Sequence, residues 1–252
     1  MFTQAICRTP GEDFAAGLTT SNLGVPSLEG ILHQHAAYVT ALRSLGLAVE
    51  VLEPLPGFPD AYFVEDAALV LPEVAVLTRP GALARRGEAD LMAPVLARFR
   101  SLVRIEAPGT LDGGDVLVMG QTVLVGLSER TNAPGIEQLS TLLSPFGYQV
   151  VPVPVGAGLH FKSSVNGLGP DHLLVAPNFA DRPELATWSK LVVPEGEAYA
   201  SNTLWINGTL ITPKGYPATL ALLQTLNMPI LELDTSEARK MDGGLTCMSL
   251  RF

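Results

Sequence analysis

Two hydrophobic periods alternate along the chain. Over residues 29–45, Ile31, Leu32, Ala36, Val39, Leu42 and Leu45 recur at helical spacing, and Gly46 stops the run. Further helix-forming stretches cover 83–99, 134–146 (closed by Gly147), a weaker 182–188, and 217–227. After each comes a short strand-like run: LAVEVLE, SLVRIEA, YQVVPVPV, KLVVPE and PILELD.

Between these segments lie stretches of one shape, in which a small or acidic pair precedes an apolar run, a turn and a second apolar run. They are EDAALVLPEVAVLTRP from Glu65, GDVLVMGQTVLVGLSE from Gly114, KSSVNGLGPDHLLVAPN from Lys162, SNTLWINGTLITPKG from Ser201 and GGLTCMSLRF from Gly243. Asn207-Gly208 between β-rich runs is the strongest short hairpin signal, so the first four predict β-hairpins. The unit of helix, strand, loop and hairpin thus occurs five times. The fifth hairpin lacks a strand, and FTQAICRT at the start has no partner of its own. Pairing the two would close an α/β ring and remove two exposed sheet edges.

Composition narrows the function. The 252 residues, 47% apolar and 16% charged, suit one globular domain spanning 1–252. A net charge of −9 argues against nucleic acid and anionic membranes as partners; it would suit a small cation, but the solubility of a cytosolic protein accounts for it as well. No apolar run approaches the ~18 residues of a membrane span. MFTQAICRTPGEDF lacks the basic start and apolar core of a signal peptide, so cytoplasmic residence is expected. Two cysteines form no disulfide framework in a chain this long.

In a ring, the loops leading into the hairpins occupy equivalent central positions. They carry Asp60, Phe63, Glu65 and Asp66, then Asp112 and Asp115, then His160 and Lys162, and finally Asp242 and Cys247. Taken singly, Asp112 before Gly-Gly reads as turn chemistry. Cys7 in an apolar strand reads as a small buried hydrophobe. Convergence on one pocket changes this: a cysteine beside a cation becomes a nucleophile. Carboxylates can grip a planar cation bidentately, and a guanidinium offers both the charge and a carbon open to sulfur. The four histidines form no HExxH, and there is no CxxC, Walker A loop or helix-opening GxGxxG. No metal and no cofactor are expected.

FPDAYFVEDAALV, TLDGGDVL, LHFKSSV and DGGLTCMSLRF together resemble, in order and spacing, the motifs of the dimethylarginine dimethylaminohydrolase family in the guanidino-modifying (pentein) superfamily. The resemblance spans essentially the whole chain. It implies a five-bladed α/β propeller with Cys247 as nucleophile, His160 as general acid and base, and Asp112 and Asp66 gripping the guanidinium. Arg85, with Arg86 as adjacent competitor, and Arg130 match the arginines that hold the substrate α-carboxylate. Asp60, Phe63, Glu65 and Asp242 match supporting positions, while the Leu18 and Met241 carbonyls match contacts to the α-amino group. Residues 15–26 resemble the family's mobile lid, and His33 and His35 are left as helix surface.

The activity implied is hydrolysis of Nω-methylated arginines to citrulline through a cysteine thiouronium, without a cofactor. The expected partner is a small cationic guanidino substrate, and a homodimer is the assembly kept open. Alternatives are the same chemistry on arginine, hydroxyarginine or citrulline, or a non-enzymatic ring such as a ribosome-binding factor. The latter would not need Cys247, His160 and Asp112 together.

Overall fold

The repeats fold as five three-stranded sheets around a common axis, in a computed structural model that describes residues 1–156 and 160–252. Residues 157–159, in the loop before His160, lie outside that description. Every sheet has the same order: a middle strand pairs antiparallel with an inner strand and parallel with an outer one. The inner strands are Ala68–Val70, Val116–Met119, Val165–Gly167, Leu204–Ile206 and Leu250–Arg251. Their middle partners are Val74–Leu77, Thr122–Leu127, His172–Val175, Thr209–Pro213 and Gln4–Arg8. The outer strands are Ser101–Arg104, Gln149–Pro154, Ser189–Val192, Ile230–Leu233 and Ala48–Leu52.

A tight turn suffices between inner and middle strands because they run antiparallel. Asn207 and Gly208 both hold positive φ, 49° and 90°, as the hairpin signal predicts. The parallel middle and outer strands require a crossover, supplied by the helices Leu28–Ser44, Arg86–Leu96, Ala133–Leu143 and Pro217–Gln224. Ser27 and Asn132 cap two of them, their side chains accepting from Gly30 N and Gly135 N. In the remaining blade the helix expected over 182–188 is absent. Two short 3-10 turns, Pro177–Phe179 and Pro183–Leu185, make that crossover, each starting at a proline.

The first helix buries a different face from the one its apolar spacing suggests. Ile31, Gln34, His35, Tyr38, Val39, Ala41 and Leu42 face inward, while Leu32 and Ala36 are exposed. Gln34 is buried because it bonds Ser236 Oγ (2.8 Å) and accepts from Glu237 N (3.0 Å), seating helix Ser236–Lys240. His35 is not helix surface as expected: it shares the face of Ile31 and Tyr38. Burial there pushes its pKa down to about 4, so it sits neutral in the core. His33 is exposed. None of the helices is long and apolar enough to cross a membrane, among the described residues.

The ring closes between the ends of the chain. Ala5 pairs with Arg251 and Ile6 with Leu250, and Phe252 N donates to Gln4 O at 3.1 Å. Asn207 accepts from Phe2 N and donates to Phe2 O, both at 2.8 Å, tying the same end to the neighbouring blade. Leu250 packs with Ile6, Leu77 and Leu96 in one of the apolar clusters that fill the spaces between blades.

The closure makes a C-terminal residue a core residue. Leu250→Ala is expected to lower unfolding stability by about 2–4 kcal/mol in urea titrations, as for any buried leucine. A loss under ~0.5 kcal/mol, typical of an exposed site, would show a frayed tail instead.

Candidate active site

Four inner strands are preceded by one 3-10 turn each, Val64–Ala67, Gly113–Asp115, Phe161–Ser163 and Ala198–Ser201, and the fifth by the stretch around Gly243–Gly244. These turns gather the polar residues of the repeats at one end of the axis. They surround a narrow pocket of about 40 Å³ lined by Leu18, Asp60, Phe63, Asp66, Arg85, Arg130, His160, Met241, Asp242, Gly243 and Cys247. Ten of these eleven were candidates from sequence; Gly243 was not. A Cβ on Gly243 would lie 2.0 Å from the Phe63 ring, so only glycine lets the fifth loop close on the first.

Asp66 is the electrostatic centre. Its carboxylate accepts from Gly114 N (2.8 Å) and from Arg85 Nη1, and it faces His160 Nδ1 at 3.9 Å. Gly114 must be glycine, since a Cβ there would sit 2.6 Å from His160 Nδ1. Burial alone would raise the Asp66 pKa, but His160, Arg85 and the Gly114 N–H hold it down at about 2. Burial alone would lower that of His160; Asp66, Asp112 and Asp115 outweigh it and raise it to about 9. His160 is therefore an imidazolium at neutral pH.

Cys247 is a free, half-buried thiol whose Sγ lies 3.8 Å from Thr246 Oγ1. Burial pushes its pKa up, and Glu65 and Asp66 push it further, to about 12. Cys7 is fully buried in a blade core, its thiol also raised to about 12 by burial, in keeping with a packing role. Cys247 is thus protonated near neutral pH.

Three candidates sit apart from the roles the resemblance implied. Asp112 is fully buried and does not line the pocket; its carboxylate bonds His160 Nε2 (2.8 Å) and accepts from Gly81 N (2.8 Å). It orients the histidine from behind, leaving Asp66 as the carboxylate facing the pocket beside Cys247. Glu65 points to the opposite side, where Lys162 Nζ (2.7 Å) and Arg251 Nη2 (3.0 Å) meet its Oε1. Arg85 reaches the pocket, but its guanidinium already bonds Glu88, Asp66 and the carbonyls of Asp60 and Phe63. Glu88 was not foreseen, although an Arg-x-x-Glu step at the start of a helix is a readable i,i+3 pair.

The remaining candidates form the mouth. Arg130 lines the pocket, and its guanidinium has no acceptor among the described residues; Arg86 stands outside, donating to Pro80 O (3.1 Å). The 15–26 segment is drawn over the opening by two carboxylates. Leu18 N donates to both oxygens of Asp60 (3.1 and 3.0 Å), and Thr19 and Thr20 donate to Asp242 Oδ2. The pocket so framed is acidic at Asp60, Asp66 and Asp242, with one uncommitted cation at Arg130. That pattern suits a ligand with a planar cation at one end and a carboxylate at the other.

Comparison with known proteins agrees with this geometry. The Arginine deiminase family model matches residues 27–147. The N(G),N(G)-dimethylarginine dimethylaminohydrolase of Pseudomonas aeruginosa is 41% identical over 254 residues, covering all of both chains. The chain belongs to the dimethylarginine dimethylaminohydrolase family. The Streptomyces coelicolor enzyme of the same name is 38% identical over 99% of this chain and 96% of its own. A solved structure of the Pseudomonas aeruginosa enzyme, a cysteine-to-serine variant complexed with citrulline, superposes with a TM-score of 0.98 at 40% identity over the full length of both. The five-bladed pentein propeller is thus the fold of this family member.

Arg85 acts here as a brace between Asp66 and Glu88. Arg85→Met would leave two buried carboxylates uncompensated and is expected to cost about 3–5 kcal/mol of unfolding free energy. Arg130→Ala should change stability by less than ~0.5 kcal/mol. Equal, small losses in both variants by urea denaturation would show that Arg85 is no more structural than Arg130.

Proposed function

We propose that this chain hydrolyses Nω-methylated arginines to citrulline, releasing dimethylamine or methylamine through a thiouronium on Cys247. The observation that carries the reading is one pocket lined by Asp66, His160 and Cys247, with the buried, ionised Asp66 3.9 Å from a protonated His160, in a chain 41% identical to an enzyme named for this reaction. It is an amidine hydrolase with no cofactor in the reaction. Its two unpaired cysteines support residence in a reducing cytoplasm, and its net charge of −9 supports a small cation rather than nucleic acid as partner.

The steps follow from the charges. A guanidinium entering the pocket sits against Asp66 and opposes the two carboxylates that keep the thiol protonated, so the thiol proton leaves to solvent. The Cys247 thiolate adds to the guanidinium carbon. His160, its Nε2 held by Asp112, turns Nδ1 toward the pocket and gives that proton to the departing dimethylamine as the C–N bond breaks. The thiouronium remains on sulfur. Neutral His160 then takes a proton from water, the hydroxide adds to the same carbon, and as the C–S bond breaks the added hydroxyl gives up its proton to solvent, leaving the citrulline carbonyl and the Cys247 thiolate. Arg130 holds the substrate α-carboxylate, and the Leu18 and Met241 carbonyls with Asp60 and Asp242 hold the α-amino group.

A product screen with asymmetric dimethylarginine, monomethylarginine, arginine and citrulline tests the reading. Dimethylamine and methylamine should appear with citrulline, and Cys247→Ser should lose well over ~90% of the rate. The partial match to the Arginine deiminase model favours arginine as the second reading. Ammonia from arginine as the main product would move the assignment there, and turnover surviving in Cys247→Ser would remove the covalent route.

The two ends of the substrate should fail differently. Asp66→Asn, at the reacting end, should lower kcat together with kcat/KM; Arg130→Ala, at the remote end, should raise KM with the smaller share of the loss in kcat. The reverse pattern would exchange the two roles.

Activity should also depend on pH through His160. Its raised pKa keeps the acid form present below about 9, so kcat should fall as pH rises through that value. A kcat that climbs unbroken past pH 10 would show that leaving-group protonation does not come from His160.

A further inference from the structure

The axis of the propeller holds a second space. The catalytic pocket lies at the N-terminal ends of the inner strands, and a chamber of about 560 Å³ runs on from there along all five strands toward their C-terminal ends. Its volume falls in the ~300–1,000 Å³ range of small-molecule sites. Leu69, Leu117, Met119, Leu204, Trp205 and Phe252 make its walls largely apolar. Glu65, next in the chain to Asp66, lines the chamber together with Lys162 and Arg251, which both meet its carboxylate.

The charges in the chamber oppose those of the molecule. The chain carries −9, yet the charged side chains lining this space, among the described residues, are Arg100, Lys162 and Arg251 against Glu65 alone. Both Lys162 and Arg251 converge on Glu65 Oε1, and Glu65 Oε2 is buried with no partner. Arg251 is otherwise taken up by Thr246 O and Ser249. Lys162 meets no acceptor other than Glu65 among the described residues, and an ammonium has donors to spare. Its side chain is buried at the chamber floor, and because one carboxylate, Glu65, is shared by two cations there, the floor keeps a net positive charge that favours an anion. Arg100 stands at the rim, its guanidinium over the Phe252 ring at 5.4 Å.

We propose that this chamber binds a small amphipathic organic anion, a carboxylate with an unbranched apolar chain, its head on Lys162 and its tail along the inner strands toward the rim. An acid of this kind matches the cationic floor and the apolar walls together. A polar dianion such as free phosphate would leave those walls unmatched. A cationic guanidino compound would meet like charge at the floor, so the chamber does not duplicate the catalytic pocket. The site is separate from the reaction proposed above, and its existence does not depend on that reaction.

Trp205 reports on the chamber directly. In a Trp188→Phe variant it is the sole tryptophan, and its emission should change saturably on titration with octanoate, short of micelle formation. Lys162→Met should weaken octanoate by at least about ten-fold, the effect of losing one charge-assisted hydrogen bond. Arg100→Glu, at the rim and outside the catalytic machinery, should weaken it in the same direction while turnover stays at the wild-type rate, which shows the fold intact. Blocking Cys247 with iodoacetamide should leave octanoate affinity unchanged. No saturable signal, wild-type affinity retained in both charge variants, or loss of binding when Cys247 is blocked would each overturn the proposal.

Discussion

A buried carboxylate that must remain charged governs this structure. Asp66 sits where desolvation favours its neutral form, and it stays ionised because a backbone N–H, a guanidinium and an imidazolium surround it. Each of those partners comes from a different part of the chain: Gly114 from the second blade's turn, Arg85 from the start of a crossover helix, His160 from the third. The ring brings them together, and their charges in turn oppose the self-repulsion of the acids gathered at its centre. The same field reaches Cys247 with opposite effect, keeping the thiol neutral until something cationic arrives.

The fold was legible because it repeats. A single short apolar run cannot be told from a helix segment, but five copies of one order fix both the hairpins and the crossovers. Closure by the two ends followed from counting strands. What failed was local. The weak helix expected over 182–188 forms only one 3-10 turn, Pro183–Leu185. Apolarity alone misplaced the face of the first helix, since Gln34 and His35 are buried through partners or neighbours that the helix's own sequence does not show.

The site was legible in membership and less so in orientation. Motif positions said which loops meet at the axis, and Asp66, His160 and Cys247 do meet there. They could not say which way each side chain turns once there. Adjacent Glu65 and Asp66 diverge, one to the chamber and one to the pocket, because neighbouring side chains on a turn entering a strand point to different sides. Asp112 lies one layer behind, held by Gly81 and His160, and Arg85 is a brace because Glu88 lies one helical step away. Pairing partners of this kind are tertiary facts, absent from any single motif.

The central claim is that the pocket holds Cys247 neutral and that a bound cation releases its proton. Ultraviolet thiolate absorbance measures this in a Cys7→Ser background, titrated with and without saturating L-lysine, a cation of similar reach with no carbon for sulfur to attack. The account predicts a midpoint far above the ordinary thiol value in the free protein, toward about 12, and a fall of at least ~1 pH unit with lysine bound. A midpoint at or below the ordinary value in the free protein, or one that the cation does not move, would contradict it.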